Sequence, residues 1–186
     1  MKEMKESRKT RYTRMTLQDS LFELMEKKPI TKITIKELCE NADINRTTFY
    51  AYYTDQYDLL RKIEDETLSW VKEALTNLIG KTDKYESMEV LEGIFQYFAE
   101  NRKHIQVLMS EQGDIDFQKQ LFTLIYRECG ISPSATADAG VSTKEDYFVF
   151  VVNGSIGLIQ YWLKNGLSRS VKEMAEIIYS MSSKIR

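Results

Sequence analysis

"TIKELCENADINRTTFYAYYTDQYDLL", residues 34–60, decides the fold. Thr34 with Glu37 three residues on has the spacing of a capping box, so a helix starts here. Ile35, Leu38 and Cys39 form its inward face, and it ends near Asn41-Ala42. Asp43-Ile44 leaves room only for a tight connection. Asn45 is a favoured N-cap residue and opens a second short helix over residues 46–52. Thr54 or Asp55 then caps a long helix reaching about Leu78, with Leu59, Leu60, Ile63, Leu68, Val71, Leu75 and Leu78 as its apolar positions. Helix, short turn, helix, on a longer support is the geometry of a helix-turn-helix unit.

The second helix is rich in hydroxyls and rings. Tyr50, Tyr52, Tyr53 and Tyr57 crowd the segment beside Thr47, Thr48 and Thr54, with hardly an aliphatic residue before Leu59. Phe49 and Tyr53, four apart, are expected to turn inward onto Leu38, Ile44 and Leu59. Thr47, Thr48, Tyr50 and Tyr52 are then left outside. Such hydroxyls can donate to phosphate oxygens. Arg46 near the helix start can pair with guanine or bind phosphate. An ordinary surface helix with a few buried rings is the alternative that spacing alone leaves open.

Upstream, residues 10–27 read as a helix with Leu17, Leu21, Leu24 and Met25 on one face, stopped by Pro29. The whole chain has 186 residues, 42% of them hydrophobic, with two prolines and eight glycines. That composition suits an all-α fold. Cys39 and Cys129 are far apart and His104 is the single histidine, so no metal site and no cofactor are expected. Residues 1–53 hold 11 Lys+Arg against 8 Asp+Glu, and residues 54–186 hold 15 against 20. A basic head on an acidic body follows. Arg8, Lys9, Arg11 and Arg14 could grip a nucleic-acid backbone from an N-terminal arm or could belong to a solvated tail.

No apolar run follows the charged N-terminus. The run at 147–163 is interrupted by Asn153, Ser155 and Gln160 and is too short for a membrane span. A cytoplasmic location, without membrane contact, is expected. No nucleophile–base pair, phosphate loop or Gly-x-Ser-x-Gly elbow stands out, so enzyme activity is not expected.

Residues 33–60 resemble the DNA-binding segment of the TetR/AcrR family of bacterial transcriptional regulators. Thr34, Leu38, Ala42, Ile44, Thr48-Phe49-Tyr50, Tyr52-Tyr53 and Leu59 fill the family's places. The "INRTTFYxxYxDxYDLL" form is similar to a subgroup that includes regulators of dihydroxyacetone kinase operons. Two departures stand out. Asp43 replaces the usual turn glycine, and Gln56 replaces a common phosphate-binding lysine. The resemblance implies DNA contacts by Thr34, Arg46, Thr47, Thr48, Tyr50 and Tyr52, with Asn45 capping the recognition helix and reaching a phosphate. It also implies a helix-turn-helix domain, residues 1–54, and a larger helical domain for regulation and dimerisation, residues 55–186.

In that second part, two or three helices are expected over 85–129, a loop over 130–142, and helices over 143–165 and 170–184. Thr143 is a candidate cap, and Met174, Ile177, Ile178 and Met181 are expected inward. The resemblance implies that the last two long helices pair with their copies in a homodimer. Gly154, Ser155, Gly157, Leu158, Trp162, Met174 and Ile178 are the interface candidates. A helix buried within one chain would look similar. Many family members take a small ligand, and Phe95, Phe98, His104, Met109, Phe122, Tyr126, Tyr147 and Trp162 are pocket candidates, with plain core as the alternative. The expected function is a dimeric repressor that binds a pseudo-palindromic operator on double-stranded DNA and answers to a small-molecule effector or a co-regulator protein. The competing reading is a co-regulator or adaptor with weak DNA binding of its own.

Overall fold

The computed structural model describes residues 7–111, 113–128 and 143–182, with side chains described for all of these but 143–145, 147 and 148. No strand occurs among the described residues, and the fold is all-α as expected. Helix α1 spans Arg8–Met25, α2 Ile35–Asn41, α3 Arg46–Tyr50 and α4 Gln56–Ile79. The remainder is α5 Lys84–Glu100, α6 Arg102–Leu108, α7 Ile115–Glu128, α8 Thr143–Lys164 and α9 Val171–Ser182. No described helix is long and apolar enough to cross a membrane. The loop expected over 130–142 lies outside the described residues.

Caps set the helix starts. Ser7 Oγ accepts from the Thr10 N–H at 3.1 Å, so α1 begins two residues before the expected position. Leu17, Leu21, Phe22 and Met25 are buried, and Leu24, expected inward, is half-buried and packs at the edge of the same core. A single 3-10 turn, Ile30–Lys32, follows Pro29. Thr34 and Glu37 form the capping box reciprocally. Lys28 Nζ donates to Glu37 Oε1 at 2.6 Å. With the Thr34 N–H and hydroxyl, it draws the Glu37 carboxyl down to about 2.

The turn between α2 and α3 turns on Asp43. Its φ is 51°, in the left-handed region where glycine is the usual occupant, and Asp is among the residues that tolerate it. The Ile44 N–H closes back to Cys39 O at 2.9 Å. Asn45 Oδ1 accepts from the Thr47 N–H at 2.8 Å, and Asp55 Oδ1 from the Asp58 N–H at 2.7 Å. Helix α3 is shorter than the expected 46–52, although Phe49 O still receives the Tyr52 and Tyr53 N–H groups.

Two cores result. The first joins α1–α3 and the start of α4 around Leu17, Leu21, Leu38, Phe49 and Leu59, and it is closed by Val107, Leu108 and Phe117 from α6 and α7. The second joins α5, α6, α8 and α9 around Leu91, Phe95, Trp162, Leu163 and Met174. Helix α4 belongs to both neighbourhoods. Leu59, Leu60 and Ile63 lie in the first core, while Val71, Leu75 and Leu78 face the second half of the chain. Met181, expected inward, is 46% exposed, and Ile177 is half-buried. Thr143 is the first residue of α8 rather than a residue preceding it.

Candidate nucleic-acid interface and internal cavity

Helix α3 is anchored by one ring. Phe49 has no exposed surface and meets Tyr50 and Tyr53 at ring separations of 5.6 Å. Tyr53 is buried as expected. Arg46, Thr47 and Tyr50 are exposed, and Thr48 and Tyr52 are half-buried. Thr34 and Asn45 are exposed on the same unit, but both side chains already work as caps. Thr34 Oγ1 accepts from the Glu37 N–H and donates to Glu37 Oε2 at 2.9 Å, so its hydrogen is committed inside the chain.

Lys62, absent from the sequence candidates, also holds this unit together. Its ammonium donates to Tyr52 O at 2.9 Å and Asp58 Oδ2 at 3.1 Å, and it stands 5.0 Å from the Tyr53 ring centre. It thus ties the end of α3 to α4. The Asp58…Lys62 spacing on one helix was the available signal. The basic residues Arg8, Lys9 and Arg11 sit exposed on α1 rather than on an extended arm. Arg14 is paired with Glu66 of α4 and so is not a free arm cation. Residues 1–6 lie outside the described residues.

Behind this unit, helices α4 to α9 line a partly open cavity of about 930 Å³. Of the pocket candidates, Phe95, Phe98 and Met109 line it. His104 does not. It stacks on Phe22 at 4.3 Å, and its Nε2 lies 2.8 Å from Asp19 Oδ1, so it joins α6 to α1. Trp162 turns away into the second core, where its Nε1–H donates to Arg169 O at 2.8 Å. On α7 the wall is made by Phe117, Leu121 and Ile125 instead of Phe122 and Tyr126. The Tyr126 hydroxyl accepts from Asn153 Nδ2 at 2.6 Å. The Tyr147 side chain lies outside the described residues. Trp70, Leu75 and Lys164 also share this wall, with no local mark of it, because each fits an ordinary amphipathic helix.

Three interface candidates are also placed elsewhere. Trp162, Met174 and Ile178 are buried inside the chain's own second core, since α9 packs its apolar side on α5. Gly154 and Gly157 are exposed, and Ser155 and Leu158 are half-buried. Phe150 and Tyr161 stand beside those glycines, 73% and 64% exposed.

Between head and cavity lies Glu64 of α4. It is buried, and its Oε1 has no hydrogen-bond partner among the described residues. Burial pushes its carboxyl up to about 7, helped by the negative charges of Asp114 and Asp65 and opposed by Arg61. One turn on, Thr67 lines the cavity. No group of three or more His, Cys, Asp or Glu that could hold a metal occurs among the described residues.

Comparison with known proteins gives a consistent picture. The TetR-type family model described as the transcriptional regulator C-terminal region matches residues 86–184, more than half of the chain. An uncharacterized HTH-type transcriptional regulator, YxbF, from Bacillus subtilis (strain 168) is 20% identical over 173 residues, 91% of this chain. The chain spans 44% of that relative's length. Among solved structures, the dihydroxyacetone kinase operon activator DhaS superposes with a TM-score of 0.52 at 18% identity, over 93% of this chain and 96% of that one. The fatty acid degradation regulator FadR from Bacillus halodurans gives 0.60 at 9% identity, over 95% of each. At these identities the structural likeness is one of fold.

Proposed function

We propose a function from one premise: the chain belongs to the TetR family of transcriptional regulators. It acts as a homodimer that binds a pseudo-palindromic operator, one α3 helix to each half-site. Residues 1–54 serve as the DNA-reading domain and 55–186 as the regulatory domain. The observation that carries this reading is α3 itself. A five-residue helix held from beneath by Phe49 and capped by Asn45 leaves Arg46, Thr47 and Tyr50 exposed on one short surface. Arg46 is assigned to a base edge or a phosphate. Thr47, Thr48, Tyr50 and Tyr52 are assigned to the backbone, with Thr34 and Asn45 at the two helix starts. A helix start carries partial positive charge, which suits phosphate.

The second copy sits on the outer face of α8. Phe150, Gly154, Gly157 and Tyr161 recur at helical spacing, and a Cβ built on either glycine would meet nothing within 4 Å. Two such helices can approach closely, and two half-sites about one helical turn apart require two linked heads. An effector in the cavity then shifts operator affinity by favouring one of two arrangements of α4. Operator release on effector binding makes the protein a repressor.

Fluorescence anisotropy on DNA from upstream of its own and neighbouring genes, against scrambled competitor and across a salt series, tests this. The expected result is saturable, selective binding that weakens steeply with salt. Arg46→Ala should cost about 1–3 kcal/mol on the selected site. Binding no tighter than to scrambled DNA would transfer the function to a co-regulator, a reading that Gln56 at the start of α4 favours. Sedimentation checks the dimer: Tyr161→Asp should yield monomer.

A further inference from the structure

We infer that the cavity takes a single-ended amphiphile, a long apolar body with one anionic group seated at Lys164. This rests on the reading of the cavity as the effector site and names its ligand class. The volume of about 930 Å³ suits a ligand of substantial size. Its inner wall is apolar: Phe95, Leu108, Phe117 and Leu163 line it and are fully or almost fully buried.

The polar groups on the lining divide in two. One set has spent its donors inside the protein. Thr67 donates to Ile63 O, Ser87 to Asp83 O, Ser110 to Val107 O and Ser182 to Ile178 O, each at 2.8 Å. Gln106 donates to Leu163 O at 3.0 Å. These groups have little left to offer an anion. The other set is small: the neutral donors of Trp70, Ser155, Gln160 and Tyr179, and Lys164.

Lys164 is the sole charged residue on the wall among the described residues, and no carboxylate lines it. It stands one turn from Gln160 on α8, and both are exposed, so the pair marks an opening. An anionic group entering there meets an ammonium and an amide and keeps access to water. A second anion carried inward would meet apolar walls without a counter-charge, which is costly. A cationic ligand would meet a like charge at the opening and no partner within.

The test is a titration of the full chain with hexadecanoate, hexadecanol and hexadecanedioate, each below its micellar concentration. Tryptophan fluorescence, with Trp70 on the cavity wall, and calorimetry report binding. Hexadecanoate should bind saturably at one per chain. Lys164→Gln, an exposed change checked by thermal melting, should weaken hexadecanoate roughly tenfold or more, as loss of a charge-assisted hydrogen bond does. It should leave hexadecanol within about twofold. Hexadecanedioate should bind at least roughly tenfold more weakly than hexadecanoate, given the cost of its buried second carboxylate. Absence of hexadecanoate binding, equal loss of acid and alcohol in Lys164→Gln, or a diacid that binds as tightly as the monoacid would each overturn the inference. No DNA enters the measurement, so its failure and failure of operator binding are read separately.

Discussion

The two halves of the molecule are packed to different standards. Around α3, Leu17, Leu21, Met25, Leu38, Phe49 and Leu59 have no exposed surface, and the helices close on one another. Around the cavity, Val71, Leu75, Ile94 and Phe98 are only half-buried and face a void of about 930 Å³. Close packing fixes side-chain positions, and a reading surface depends on fixed positions. A void forfeits dispersion contacts along its lining. The head is thus built to hold a shape and the body to leave room, and the same chain does both because α4 crosses between them.

The sharpest way to break this comparison is to truncate both sides. Phe49→Ala removes the ring under α3 and should cost about 3–5 kcal/mol in urea unfolding, with operator binding lost. Leu75→Ala on the cavity wall should cost under about 2 kcal/mol, because little of the removed side chain is fully enclosed. Equal losses would mean that the body is as tightly filled as the head.

Enlargement sharpens the same contrast. Ala42→Leu in the head forces extra volume into a closed core and should cost about 1–3 kcal/mol. Ala74→Leu projects into the void and should leave the unfolding midpoint near that of the parent. It should also reduce the space for an effector, which titration with hexadecanoate would detect.

The junction between the halves is tested by pH. Glu64 is raised in the folded protein from the ordinary 4.5 to about 7, so the native state holds a proton that the unfolded chain releases. Its contribution is fully present below about 4.5 and is lost as pH rises through about 7. Glu64→Gln, which cannot release a proton, should therefore gain stability relative to the parent between pH 5 and pH 8. Urea melts at several pH values would show it as a flatter profile. A parallel pair of profiles would place the carboxyl in water. Thr34→Ala removes the capping hydroxyl and should cost about 0.5–2 kcal/mol by the same melts.

The head was far more legible in the sequence than the body. Its helices announce themselves through local chemistry: Thr34 with Glu37, Asn45, and Asp55 each fix a start within a residue or two, and Asp43 takes the left-handed turn at the place of the usual glycine. The cavity depends on which faces of six helices meet, and that is not a local property. Ring chemistry alone does not place a residue on the cavity wall: His104 stacks on Phe22, and Trp162 packs edge-on to Phe95 in the second core. Hydrophobicity on α9 predicted burial of Met174 and Ile178 but not whether a partner or the same chain would bury them. Here α5 does so.

Helix α4 has a mechanical meaning beyond its packing. Its 24 residues make a rod about 36 Å long at 1.5 Å per residue. Tilting such a rod by about 5° at its far end would carry the near end through about 3 Å over that length. In a symmetric pair the two ends move in opposite senses, so the separation of the reading helices would change by about 6 Å, half the roughly 12 Å width of a major groove. A displacement too small to disturb either core would then be enough to put both helices out of step with the duplex.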